Sequence, residues 1–168
     1  VDKDADLTPL ANPFRHKIVI FGSSFTHGIS TSRAGMSYPM QIERNTGLYF
    51  CSIACSGNCK LQPYFADYLA DVKDADAMVF DAFSNPSAQM IEERLIPFIA
   101  RIRESLPTTP LIFVQTIYRE RSNFDVKTRK TEEAKREMAR KMMKQAMKQF
   151  DGVYFLDVPN LTGTDHVT

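Results

Sequence analysis

The chain has 168 residues, a formal net charge of +1 and 43% apolar residues, the make-up of one globular domain large enough for a full core. The near-even charge removes any general electrostatic case for nucleic acid or an acidic membrane as partner. No apolar run approaches the roughly 20 residues that a membrane-spanning helix needs, so no membrane association is expected.

Residues 1–16 are polar, contain Pro9 and Pro13 and carry no periodicity, so an extended lead-in or linker is expected there. Residue 1 is Val, not Met, which suits a processed product. Strand-like and helix-like stretches then alternate. The run Lys17–Phe21 predicts a first strand, 36–45 a helix with Gly47 placed to stop it, and 48–53 a second strand. Residues 61–71 predict a helix with Leu61, Phe65, Tyr68 and Leu69 on one side. Ala77–Asp81 predicts a third strand. A long helix is expected over 87–105, with Met90, Ile91, Leu95, Phe98 and Ile102 as its apolar face and a kink or break at Pro97. Residues 111–115 predict a fourth strand. Residues 128–150 predict the longest helix, with Ala134, Met138, Met142, Ala146 and Phe150 recurring at four-residue steps as a core-packing stripe. Its basic residues between Lys127 and Lys148 read as a solvated face balanced by Glu132, Glu133 and Glu137. Residues 153–157 predict a fifth strand. Five apolar strands separated by helices imply right-handed crossovers and a five-stranded parallel sheet with helices on both faces, an α/β fold.

In such a sheet the loops after the strands share one edge, where ligands bind. Three of these loops carry unusual residues: Gly22-Ser23-Ser24 after the first strand, Ala54-Cys55-Ser56-Gly57-Asn58 after the second, and Asp81-Ala82-Phe83-Ser84-Asn85-Pro86 after the third. They supply a hydroxyl, a glycine N–H with no side chain to block approach, and a carboxamide donor. That set suits a nucleophile and an oxyanion hole for acyl transfer.

These blocks resemble the SGNH/GDSL esterase and lipase family. Its first motif is Gly-Asp-Ser, then a hydrophobic residue, Thr, a variable residue and Gly. Gly22-Ser23-Ser24-Phe25-Thr26-His27-Gly28 matches it with Ser23 in the Asp place and Ser24 in the nucleophile place. Gly57 matches the glycine of the second motif and Asn85 the asparagine of the third. The stretch from Ser32 to Pro39 is similar to a Gly-Ser-Ser branch of the family. The resemblance covers residues 17–168. It implies a flavodoxin-like three-layer α/β/α fold, Ser24 as catalytic nucleophile, and an oxyanion hole made by the Ser24 N–H, the Gly57 N–H and the Asn85 side chain. It implies small acyl esters as substrates, acetyl esters on carbohydrate foremost, with no cofactor. It also points to a secreted or periplasmic location, with a cytoplasmic one as the alternative.

The family's general base is a His in an Asp-x-x-His motif, followed by a closing helix. Asp165 and His166 are adjacent and depart from that spacing. The base is therefore expected beyond Thr168, with His166 as a substitute, and the domain is expected to lack its carboxyl-terminal segment. A noncatalytic sugar- or ester-binding pseudoenzyme is the rival reading. A flavodoxin-like phosphate or flavin binder is a weaker one, because the Gly22–Gly28 loop lacks the clustered glycines and basic residue of a P-loop.

Each residue also has a plainer reading. Ser24 suits a helix N-cap, Gly57 a turn glycine with positive φ, and Asn85 a turn or helix start. Asp81 could orient Asn85 or a loop amide, or cap the next segment. His27 lies three residues from Ser24 but should point away from it, and His16 falls at the wrong end of the sheet. Cys51, Cys55 and Cys59 are spaced by four and cannot all pair within one chain. A three-thiolate metal site is one reading. With no His nearby and no usual zinc spacing, no metal is expected, and Cys51 reads as a small strand residue.

Overall fold

The computed structural model describes residues 3–158, with residues 5, 7 and 12 excepted. Its order is β1 (Lys17–Gly22), α1 (Ser24–His27), α2 (Tyr38–Thr46), β2 (Tyr49–Ala54), α3 (Pro63–Ala70), β3 (Ala77–Asp81), α4 (Ala88–Ser105), β4 (Leu111–Val114), a 3-10 turn (Glu120–Asn123), α5 (Val126–Gln149) and β5 (Val153–Leu156). The five strands form one all-parallel sheet in the order β2-β1-β3-β4-β5. The chain thus starts near one side, steps outward to β2, and returns across β1 to build the rest. The reversal falls between β1 and β3, and open α/β sheets bind ligands outside the carboxyl ends of the strands at such a point.

Register decides what each face carries. Val19, Cys51 and Met78 are aligned across three strands, as are Phe21, Ile53 and Phe80. These residues, with Leu111, Phe113 and Val153, face α3, α4 and α5 and make the main core. Aromatic rings dominate it: Phe80 stacks on Phe113 at 4.4 Å between centroids, and Phe98 of α4 meets Phe21 at 5.9 Å and Phe80 at 6.0 Å. Such pairs add to plain area burial through quadrupole-matched geometry. The opposite face is thinner, covered by α1 and α2 near β1 and β2. Val79, Ile112 and Val114 there are only partly buried, and Tyr154 and Leu156 are exposed. Among the described residues, no helix is long and apolar enough to cross a membrane.

Several expectations are corrected. The third helix starts at Pro63, not at Leu61, which has a positive φ of 57°. Proline disfavours the helical region for the residue before it, so Gln62 is extended and caps the helix. Tyr68 is 59% exposed, because Phe65, Ala66, Leu69 and Ala70 take the sheet-facing side. Pro97 does not break α4. It lies on the exposed side, as does Glu93, whose carbonyl loses its partner and can turn to water instead. On α5 a strict four-residue step drifts about 40° per step around a 3.6-residue helix. The buried stripe is therefore Glu132, Lys135, Ala139, Met142, Met143 and Ala146, while Ala134 is exposed. Glu132, expected on the solvated face, is buried with Lys135 as an ion pair of 2.7 Å.

Candidate active site

The carboxyl end of β1 is held from both sides. Gly22 pairs with Ala54 of β2 and Asp81 of β3, so the three loops begin at one level. The Gly22 carbonyl accepts the Cys55 N–H at 3.2 Å and the Cys59 thiol at 2.6 Å, tying the second loop to the first. Cys59 is 1% exposed, and burial pushes its thiol up to about 12, so it stays a protonated donor at neutral pH. Gly22 admits no side chain: an added Cβ would lie 2.0 Å from Thr26 Oγ1 and 3.1 Å from the Asp81 Cβ. Here the glycine serves close packing of the turn against β1.

Asp81 ties the first loop to the third. Its Oδ2 accepts the Ser23 N–H at 3.1 Å, the Ser23 hydroxyl at 2.5 Å and the Thr26 hydroxyl at 3.1 Å. Its Oδ1 accepts the Ser84 hydroxyl at 2.9 Å. Thr26 Oγ1 also pairs with the Tyr38 hydroxyl at 2.8 Å, which links α2 to the same cluster. Of the roles expected for Asp81, the structure shows the loop amide: it holds the Ser23 N–H, together with the Ser23, Thr26 and Ser84 hydroxyls, and makes no bond to Asn85.

Ser23 and Ser24 have opposite surroundings. Ser23 is the N-cap of α1, is 1% exposed, and receives the Phe25 N–H on its Oγ at 3.3 Å. The capping role considered for Ser24 therefore falls to Ser23. Ser24 is half-buried, and its hydroxyl makes no hydrogen bond among the described residues. Gly57 sits at the tip of the second loop with φ +69°, a left-handed conformation that glycine adopts without strain, and nothing lies within 4 Å of where a Cβ would be. The turn-glycine reading holds.

Asn85 is half-buried, and its Nδ2 is a buried donor with no acceptor. The loop that carries it is fastened below by Lys135 Nζ, which donates to the Ser84 carbonyl at 3.0 Å, and Pro86 follows in a buried position. The amide is thus held in place while its donor is left unused. Leaving a buried donor unmet costs free energy, and such a group in a native fold calls for an explanation, a catalytic role among them.

The remaining candidates lie elsewhere. His27 is exposed at the end of α1. His16 is at the amino end of β1, 3.5 Å from Asp76. Cys51 faces the core from β2 and Cys55 packs against it. Asp165 and His166 lie outside the described residues. Two features had no legible signal in the sequence: the Cys59 bond to Gly22 and the buried Glu132–Lys135 pair. For Asp81 the sequence offered the loop-amide role but not its hydroxyl partners Ser23, Thr26 and Ser84.

A model of the GDSL-like lipase/acylhydrolase family matches residues 15–168. A Bacteroides ovatus protein described as a GDSL-like lipase superposes with a TM-score of 0.90 and 38% identity, over 99% of this chain and 49% of its own. Salicylyl-acyltransferase SsfX3 from a tetracycline biosynthetic pathway superposes at 0.73 with 21% identity, over 91% of this chain and 45% of its own. A family two carbohydrate esterase from Cellvibrio japonicus does so at 0.60 with 13% identity, over 88% and 53%. The last two share the fold. The chain spans about half the length of each of these proteins. No curated protein matches it by sequence.

Proposed function

Because this chain belongs to the GDSL-like lipase/acylhydrolase family, we propose that it carries the nucleophile and oxyanion-binding groups of a serine ester hydrolase. The Ser24 oxygen attacks the ester carbonyl carbon as its proton passes to a general base. The carbonyl oxygen gains the negative charge, and the Ser24 N–H, the Gly57 N–H and the Asn85 Nδ2 donate to it. The alcohol then leaves with a proton, and water hydrolyses the acyl-Ser24 bond to return the free serine and the acid.

One observation carries the reading: a buried, unpartnered amide donor on the loop that Asp81, through Ser84, ties to the nucleophile turn. Fixed donors stabilise a developing oxyanion because they need no reorganisation during the reaction. The firm seat of Ser23 supports the same reading. A residue tied to a carboxylate through both N–H and Oγ leaves the neighbouring Ser24 little backbone freedom. As substrates we propose small acyl esters, acetyl above all, on a carbohydrate alcohol. The open space around Gly57 supports a bulky alcohol portion, and the Cellvibrio japonicus carbohydrate esterase shares the fold.

The test is a fluorophosphonate probe and a short-chain ester series applied to the full-length protein. Labelling at Ser24, and its loss together with hydrolysis in Ser24→Ala, is the expected outcome. A folded protein that binds the esters yet neither labels nor turns them over refutes the esterase and leaves a binding protein.

A further inference from the structure

The loop after β4 brings a cation to the nucleophile turn. Its backbone is held on both sides: Thr116 N–H bonds to the Gln115 side chain at 3.0 Å, Arg136 donates to the Ile117 carbonyl at 3.4 Å, and Ser122 N–H donates to the Arg119 carbonyl at 2.8 Å. The Arg136 guanidinium also lies 5.4 Å from the Tyr118 ring centroid. Between these anchors stands Arg119, its guanidinium carbon 5.0 Å from the centroid of Phe25, the residue next to Ser24.

Arg119 is half-buried, yet among the described residues its guanidinium makes no ion pair and no hydrogen bond. Stacking on Phe25 uses the flat face of the guanidinium and leaves the five edge N–H donors free. Asp81, the carboxylate at the end of β3 that holds this turn, is already occupied by Ser23, Thr26 and Ser84. Glu120, adjacent in sequence, makes no ion pair either. A cation withdrawn from water and held by an aromatic ring is a ready partner for an incoming anion. The fixed planar fork pairs two oxygens at once, the geometry of a carboxylate. From the spacing of adjacent residues and the stacking distance, the guanidinium stands on the order of 10 Å from the Ser24 hydroxyl, a span a small acidic ester can bridge.

We propose that Arg119, stacked on Phe25, forms a subsite for a carboxylate carried by the ester substrate, on either its acyl or its alcohol side. This rests on the esterase reading of Ser24. It makes the protein selective for acidic esters, such as half-esters of dicarboxylic acids or acylated uronic acids, over their neutral counterparts.

The experiment compares acids with their methyl esters in the full-length protein. One pair is mono-4-nitrophenyl succinate and its methyl ester. The other is an O-acetylated glucuronate and its methyl ester. The acid is expected to exceed its methyl ester in kcat/KM by about ten- to a hundredfold in at least one pair, the range for a charged hydrogen-bonded contact. The pair that responds identifies the side bearing the charge. Arg119→Met is expected to bring that ratio near one, and Arg119→Lys to keep part of it. Calorimetric binding of the same compounds to Ser24→Ala protein reads the preference without turnover. Acid and methyl ester within twofold of each other in both pairs, or a preference that survives Arg119→Met, overturns the proposal. If no ester is hydrolysed but the Ser24→Ala protein still prefers the acids, the esterase reading falls and the subsite stands.

Discussion

Asn85→Ala separates catalysis from stability. The Asn85 side chain makes no hydrogen bond among the described residues, and its buried Nδ2 has no acceptor. Truncation therefore breaks no internal bond and removes an unmet donor, whose burial costs about 1–3 kcal/mol. Against this stands the lost packing of a small side chain, on the order of 1 kcal/mol. The two nearly offset, so folding stability should stay within about 1 kcal/mol of the parent, or about 2–4 °C in Tm for a chain of this size. Activity should respond very differently. Losing one oxyanion donor raises the barrier by about 2.7–4 kcal/mol, a fall of about a hundred- to a thousandfold in kcat. Hydrolysis of a short acetyl ester and a thermal melt, run on one preparation of the full-length protein, measure both. A variant within tenfold of the parent in kcat, or one whose Tm falls by more than about 8 °C, would refute the reasoning. The second result would make Asn85 a structural amide, not a donor held for the transition state.

Further outcomes follow from the packing and from the buried groups. Gly22→Ala puts a Cβ 2.0 Å from Thr26 Oγ1, so it should destabilise the fold by about 1–3 kcal/mol and slow Ser24 labelling, measured by melt and probe kinetics. Lys135→Met strands the Glu132 carboxylate, buried 2.7 Å away, and should cost about 3–5 kcal/mol in urea unfolding. The double replacement Glu132→Leu/Lys135→Met should recover most of that loss, because no lone charge remains. Burial raises the Cys59 thiol from 9.0 to about 12, so its contribution is full below pH 9 and is lost as pH rises through that window. Urea unfolding of Cys59→Ala should accordingly show a shallower alkaline decline than the parent.

Much of the frame is legible locally. The five strands are short apolar runs bounded by Gly, Pro or charged residues, and each lies within two residues of its expected place. A buried strand must be continuously apolar, so its pattern survives whatever it pairs with. The helices are less exact at their faces. Tyr68 and Ala134 lie outside the buried faces because an apolar residue at helical spacing reports amphipathicity without naming the neighbour that covers it. Glu132 and Lys135 show the same limit from the other side: nothing local marks a charged pair that the loop after β3 will bury.

The site divides along the same line. That a serine follows β1, a glycine lies in the loop after β2 and an asparagine in the loop after β3 is a property of the chain read in order. Which serine is the cap and which stands free, and which carboxylate holds the turn, are settled by contacts such as the Ser23–Asp81 bond, 58 residues apart in sequence. The pairing of Arg119 with Phe25 is equally remote, since the two meet only when β4 takes its place in the sheet. Local periodicity records what must be buried. Register and crossover order decide what each buried or exposed group meets, and that information is held by no single segment.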